Sequence, residues 1–291
     1  MEKILDQLII EAGQVDREVA LQIGIKILSE GLPLPASLSE LPLTIDEISA
    51  IDLFTRAINN VRERCSLDSI MISPYRLHII SDYSYEQFLG KSDGFEMMGQ
   101  VFMPERLRCK AERLAYVLSH EVSHLTAYMS ARIELSDSEN EEDKIIISEA
   151  RQLRTGLQRL NSDRLEFVGL NEATTEYLAF LLRREAAKTS GQFGLDCAQT
   201  SDRIMAYVGI ASLIIQLTRR LVASGCRPDW LTVPDVWRTI LVDYWTGSDV
   251  FLTTLAANNL PLWEDLRTLG TDHDDAVRVA VAHGFSSNAN G

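Results

Sequence analysis

Apolar residues recur at helical spacing along most of the chain. Ile4, Leu8 and Ile9, then Val19, Leu21, Ile25 and Leu28, predict two helices at the start. The segment "GLPLPASLSELPLT" follows. Its Pro33, Pro35 and Pro42 exclude a continuing helix, so it is the candidate linker. Thr44, with Glu47 at capping-box spacing, opens the next predicted helix, which runs to about Cys65. The pattern then changes. "RLHIIS" (Arg76–Ser81) and "FEMMGQVFMP" (Phe95–Pro104) are rich in strand formers and bounded by turn residues, with a helical turn in "YSYEQFLG" between them. Pro104 ends the second strand. A long helix is predicted from near Glu105 to before "SDSENEEDK" (Ser136–Lys144), an acidic run that reads as a solvated loop. "RTGLQRLNSDRLEFVGL" (Arg154–Leu170) fits a hairpin turning at Asn161-Ser162-Asp163, or a helix through Leu160 followed by a loop. From Asn171 the pattern is helical almost to the end: about Glu172–Ala187, Ser201–Ala223, Val233–Tyr244, Val250–Ala257 and Asp274–His283. The tail "SSNANG" is expected to be disordered.

These elements define an α+β, mainly α chain in three parts. Residues 1–45 form a helical extension and Pro-rich linker, 46–225 a mixed region, and 226–291 a helical part with the tail. At 291 residues the chain can bury a sizeable core, and 46% hydrophobic with 24% charged residues is a globular balance. A net charge of -14 gives no general attraction to nucleic acid or anionic lipid, so neither is expected as a partner. The apolar run at the N-terminus is broken by Asp6, Glu11 and Asp16, unlike a signal peptide. The longest apolar run, Ile204–Ile215, is too short to span a bilayer and suits a buried helix. Cys65, Cys109, Cys197 and Cys226 are scattered without CxxC spacing, which argues against disulfides and cysteine zinc sites. A cytoplasmic location is expected.

One stretch carries chemistry. "LSHEVSHLTA" contains His120-Glu121-Val122-Ser123-His124, in a chain with only five histidines. Residues four apart on a helix share a face, so His120 and His124 can direct two imidazoles at one metal ion, with Leu114, Leu118, Leu125 and Met129 as an adjacent apolar stripe. Glu121, part of a turn away, is placed to act as a general base on water rather than as a ligand. A zinc site with an open position needs a third protein ligand. "GLNEATTEYLAFLL" (Gly169–Leu182) offers Glu172 and Glu176, again four apart on one helical face. Glu172 can complete a His2Glu site. Glu176 can accept the second ring N–H of one histidine, and Asn171 can serve the other. An oxyanion stabiliser is also required for acyl transfer; Tyr207 is the preferred candidate, with Tyr177, Arg154 and His283 as further options.

HExxH followed by NExxxE resembles the thermolysin-like gluzincin metallopeptidases over roughly Phe95–Leu182, although the stretch between His124 and Glu172 is longer than in thermolysin itself. The resemblance implies a zincin-like fold, with a small sheet whose edge strand lies over the HExxH helix and a helical C-terminal part. It implies Zn2+ bound by His120, His124 and Glu172, Glu121 as base and acid, and Glu176 supporting a zinc histidine. It also implies a peptide or protein substrate added along the strand Phe95–Pro104, where Gly99 allows close backbone approach. The expectation is a zinc-dependent peptidase. Its alternatives are a zinc hydrolase acting on a non-peptide substrate, and a non-catalytic interaction or regulatory protein that retains the fold. Oligomeric state is not legible.

Overall fold

The computed structural model describes residues 8–11, 17–30, 38–137, 145–188 and 207–285. Its strands fall into two small mixed sheets. The first has the order β2-β3-β5-β4: β2 (Glu40–Leu41) pairs antiparallel with β3 (Leu77–Ile80), β3 parallel with β5 (Gln100–Pro104), and β5 antiparallel with β4 (Phe95–Met97). The second has the order β1-β6-β7-β8-β9. There β1 (Leu8–Glu11) runs parallel to β6 (Met129–Asp137), and β6, β7 (Ile145–Thr155), β8 (Gln158–Asn161) and β9 (Arg164–Glu166) form an antiparallel meander. The helices are α1 (Arg17–Glu30), α2 (Ile45–Arg64), α3 (Asp82–Phe88), α4 (Ala111–Leu125), α5 (Val168–Ala187), α6 (Val208–Ser224), α7 (Val233–Thr246), α8 (Val250–Asn258), α9 (Leu260–Thr268) and α10 (His273–Ala282). The class is α+β, mainly α. None of the described helices is long and apolar enough to cross a membrane.

Local chemistry explains several boundaries. Thr44 caps α2: its hydroxyl accepts from the Glu47 N–H at 3.2 Å, while Glu47 accepts from the Thr44 N–H at 2.8 Å. A buried core side then runs along α2 through Ile51, Phe54, Ile58 and Val61, to a C-cap at Cys65. The apolar run read as a core helix falls largely in α6, where Ile210, Leu213 and Ile214 are buried. One hydrophobic core extends from Ala50 to Phe285 and joins α2, α4, α5 and α6 with the C-terminal helices. Its fully buried leucines, such as Leu118 and Leu178, contribute about 1.5–3 kcal/mol each.

Four expectations are corrected. Leu8–Glu11 is a strand, because the outer edge of β6 offers it a partner. The helix expected from near Glu105 begins as a 3₁₀ turn (Glu105–Cys109), becomes α4, and ends at Leu125. Met129, Ala131, Ile133 and Leu135 alternate with polar residues, and they build β6 instead of a further helical turn. The strand Phe95–Pro104 is a hairpin: Met98 (φ 51°) and Gly99 (φ 71°) form a two-residue turn between β4 and β5. Of the two readings of Arg154–Leu170, the hairpin is the one observed, with Ser162 at φ 56° in its turn. The residues 138–144 of the acidic run, 201–206 of the helix expected before Ala223, Cys197 and the tail lie outside the described residues. The described cysteines are free thiols.

Candidate metal centre

Helix α4 carries His120, Glu121 and His124, all buried. Helix α5 packs along it. It starts at Val168, a turn earlier than expected, because Phe167 at φ 58° reverses the chain and its N–H donates to the Arg267 carbonyl at 2.9 Å. That start brings Glu172 to the two histidines. His120 Nε2 lies 3.2 Å from His124 Nε2. Glu172 Oε2 lies 3.4 Å from the first nitrogen and 3.5 Å from the second. A tetrahedral zinc bonded at about 2.0–2.1 Å separates its ligands by about 3.3–3.4 Å. The three atoms thus already form one face of such a tetrahedron, and two imidazoles with one carboxylate are the donor chemistry zinc takes. Among the described residues, these three form the group of His, Cys, Asp and Glu side chains close enough to share a metal ion.

The outer ring nitrogens are also occupied. His120 Nδ1 donates to Glu176 Oε2 at 3.2 Å, the place expected for Glu176. A carboxylate only accepts, so this bond leaves Nε2 of a neutral ring with its lone pair facing the centre. Asn171 does not serve His124. Its Oδ1 accepts from the Leu157 N–H at 3.0 Å and holds the β7–β8 turn. Thr175 stands there instead, with Oγ1 3.5 Å from His124 Nδ1 and 3.0 Å from the Tyr244 hydroxyl. Tyr244 donates to the Ser123 carbonyl at 3.1 Å, so α7 ties both motif helices together.

Each ionisable group of the site feels the charges of the others. Burial works against a proton on His120, but its hydrogen bonds to Glu172 and Glu176, with the charges of Glu121 and Glu172, together outweigh burial and raise it to about 10. Burial also works against charge on His124, and Glu172 raises it. Burial opposes ionisation of Glu172, yet His124 and His120 hold it well below the usual carboxylate range. Glu121 has no such hydrogen bond, and burial pushes it up despite the nearby histidines.

A cleft of about 450 Å³ opens over this group. One wall is the segment Gly94–Met97, including β4, the edge strand of its sheet. The opposite wall is the meander, through Gln152, Thr155, Gln158 and Leu165. The long interval between the two motifs is therefore the β6–β9 sheet. Glu121 faces this cleft and a smaller cavity beyond it, lined by Asp93, Arg113 and Tyr116. Glu96, unanticipated from sequence, lines the cleft as a half-buried carboxylate. Burial raises it, and it accepts from the Gly99 N–H at 2.7 Å. Gly99 does not line the cleft. A Cβ there would meet Arg76 Nη2, and its role is the turn. The edge of β4 occupies the place expected for it.

Tyr207, at φ 55° ahead of α6, lines the cleft; its ring centre lies 5.9 Å from that of His120. Burial raises its hydroxyl well above the ordinary range, with Glu172 and Glu121 adding to the effect. The other oxyanion options lie elsewhere. Tyr177 stacks on Trp237 at 4.0 Å, Arg154 binds the Gly156 and Gly247 carbonyls, and His283 pairs with Asp265 at 2.6 Å.

Compared with protein-family models, curated proteins and solved structures, the chain matches none.

Proposed function

We propose that this protein is a zinc-dependent hydrolase whose substrates are peptides. The observation that carries the reading is the triangle of two Nε2 atoms and one Oε2 atom, 3.2–3.5 Å on its edges, beside Glu121 at the floor of an open cleft. His120, His124 and Glu172 hold the ion. When bound there, zinc would supply Lewis acidity toward a substrate carbonyl and toward water. Glu121 takes a proton from the attacking water on its carboxylate and passes it to the leaving amine; burial raises its proton affinity. Glu176 and Thr175 hold the two rings by their Nδ1 atoms, which keeps both Nε2 atoms directed at one point.

The edge of β4 offers backbone groups to an extended chain, the usual way a peptide adds to a sheet. Phe95 and Met97 on one rim and Leu165 on the other are exposed, an arrangement suited to apolar side chains. Tyr207 is the nearest candidate to donate to a developing oxyanion. Together, HExxH and NExxxE resemble the thermolysin-like gluzincins, and the mixed fold with an edge strand beside the motif helix accords with a zincin-like architecture. The described cysteines Cys65, Cys109 and Cys226 are free thiols, which suits a reducing compartment such as the cytoplasm.

The test is a screen of quenched fluorescent peptides with zinc-loaded protein and its Glu121→Gln variant. The proposal expects cleavage by the wild type and none by the variant, with equal zinc affinity. A Glu121→Gln protein that cleaves at the wild-type rate sinks the assignment of Glu121, and a zinc-loaded wild type that cleaves no peptide sinks the substrate class.

A further inference from the structure

We propose that Arg183 is a positioning residue for the His120–His124–Glu172 centre, acting through Glu176; this rests on the metal-binding reading above. Arg183 lies on α5 seven residues beyond Glu176, on the same face of the helix. Both side chains are fully buried. Charges are costly to bury, and an apolar pair could join α4 to α5 at less cost, so this pair has a reason beyond packing.

The guanidinium fork binds both helices that carry the donor set. Its Nη2 donates to Glu176 Oε1 at 3.0 Å, and its Nη1 donates to Ser119 Oγ at 3.0 Å. Ser119 adjoins His120 in sequence, and Glu176 is the hydrogen-bond partner of His120 across the helices. The Arg183 guanidinium also lies over the Tyr116 ring, 4.9 Å from its centre. Tyr116 in turn donates its hydroxyl proton to Glu176 Oε2 at 3.2 Å.

The two oxygens of Glu176 therefore have separate tasks. Oε1 takes Arg183, while Oε2 takes Tyr116 and His120 Nδ1. A carboxylate held through one oxygen can turn about its Cγ–Cδ bond; held through both, its plane is fixed. Arg183 thereby sets the direction from which His120 Nδ1 is bound. With that nitrogen fixed, Nε2 is aimed at His124 Nε2 and Glu172 Oε2. Lysine keeps the charge but lacks the planar fork, so it reaches one of the two partners and leaves the carboxylate free to turn.

The test titrates zinc ion alone into metal-free wild type, Arg183→Lys, Glu176→Gln and the double variant Arg183→Met/Glu176→Gln. Competition with a chromophoric chelator gives the Kd, and circular dichroism confirms folding. Arg183→Lys is expected to stay folded and bind zinc about 10-fold more weakly. The double variant removes both buried charges together, so it folds even where a single truncation does not. It is expected to match Glu176→Gln within about twofold, since Arg183 then has no carboxylate to aim. A folded Arg183→Lys with wild-type affinity and only a lowered melting temperature makes Arg183 purely structural and overturns the proposal. A double variant weaker than Glu176→Gln by the whole factor seen for Arg183→Lys overturns it too. A wild type that binds no zinc overturns the metal reading itself, and this inference with it.

Discussion

Gly94→Ala is a sharp probe of Glu121. Gly94 sits just before β4, and a Cβ built on it would stand 2.4 Å from Glu121 Oε1 and 2.8 Å from its Cγ and Cδ. Ordinary contact begins near 3.4 Å, so the overlap is about 1 Å. Neither side yields easily. Arg113 on α4 donates to Asp93 Oδ2 at 2.8 Å, and Arg106 donates to Oδ1 at 3.4 Å, so the residue before Gly94 is clamped. On the other side, the α4 backbone around Glu121 also carries His120 and His124. The Gly94 backbone is not in the left-handed region, so alanine meets no dihedral strain. The strain falls on the Glu121 side chain, which must turn away by about 1 Å. A misplacement of this size in a proton-transferring group costs about 100-fold in kcat/KM, or about 3 kcal/mol of transition-state stabilisation. Overpacking should cost about 1–3 kcal/mol of stability. Zinc affinity should stay within about threefold, because the three atoms nearest the added Cβ all belong to Glu121 and none to a ligand. The assay is steady-state hydrolysis of a peptide found by the screen, run beside a zinc titration and a thermal melt. Full activity in a folded, zinc-loaded Gly94→Ala protein would refute the placement of Glu121 as the base.

Three further outcomes follow from the same geometry. With His120 raised to about 10, the metal-free protein holds a proton there at neutral pH, so zinc uptake at pH 7 should release at least one proton; calorimetry in buffers of different ionisation enthalpy measures it, and no release would contradict the assignment. Because that pKa lies above an unfolded value of about 6.5, the proton stabilises the metal-free fold fully below about pH 6.5, and that contribution is lost as pH rises through about 10. Zinc binding should tighten over the same interval, which titrations at stepped pH will show or refute. Thr175→Val leaves His124 Nδ1 and the Tyr244 hydroxyl each short of a partner; it should cost about 1–3 kcal/mol in a denaturant melt and about 10-fold in zinc affinity.

The parts of the site legible in the sequence are those fixed by helical spacing. His120 with His124, and Glu172 with Glu176, sit four apart on α4 and α5, so each pair was brought to one face by local geometry alone. The Thr44–Glu47 cap was legible for the same reason. What failed depends on contacts between distant segments. Asn171 and Thr175 lie on the same helix, and the distant Leu157 N–H takes Asn171 Oδ1 while Thr175 stands beside His124. The N-terminal strand exists because β6 has an open edge, which no local pattern reports. Other signals were present and outweighed. Ala131 and Ile133 are buried while Arg132 between them is exposed, the two-residue alternation of β6, although the preceding helix pattern suggested continuation. Arg183 follows Glu176 by two turns, a spacing that would have marked the buried pair. Gly99 is read from the sequence as a point of close substrate approach, but its φ of 71° serves a turn.

The central claim is that His120, His124 and Glu172 hold one metal ion, and zinc content measures it most directly. Metal-free protein is equilibrated with zinc ion at neutral pH, dialysed against metal-free buffer and analysed for zinc per chain, beside His124→Ala and Glu172→Gln variants shown to be folded. The account predicts about one zinc per wild-type chain, much less in Glu172→Gln and essentially none in His124→Ala. Wild-type protein that retains no zinc, or variants that retain as much as the wild type, would contradict it.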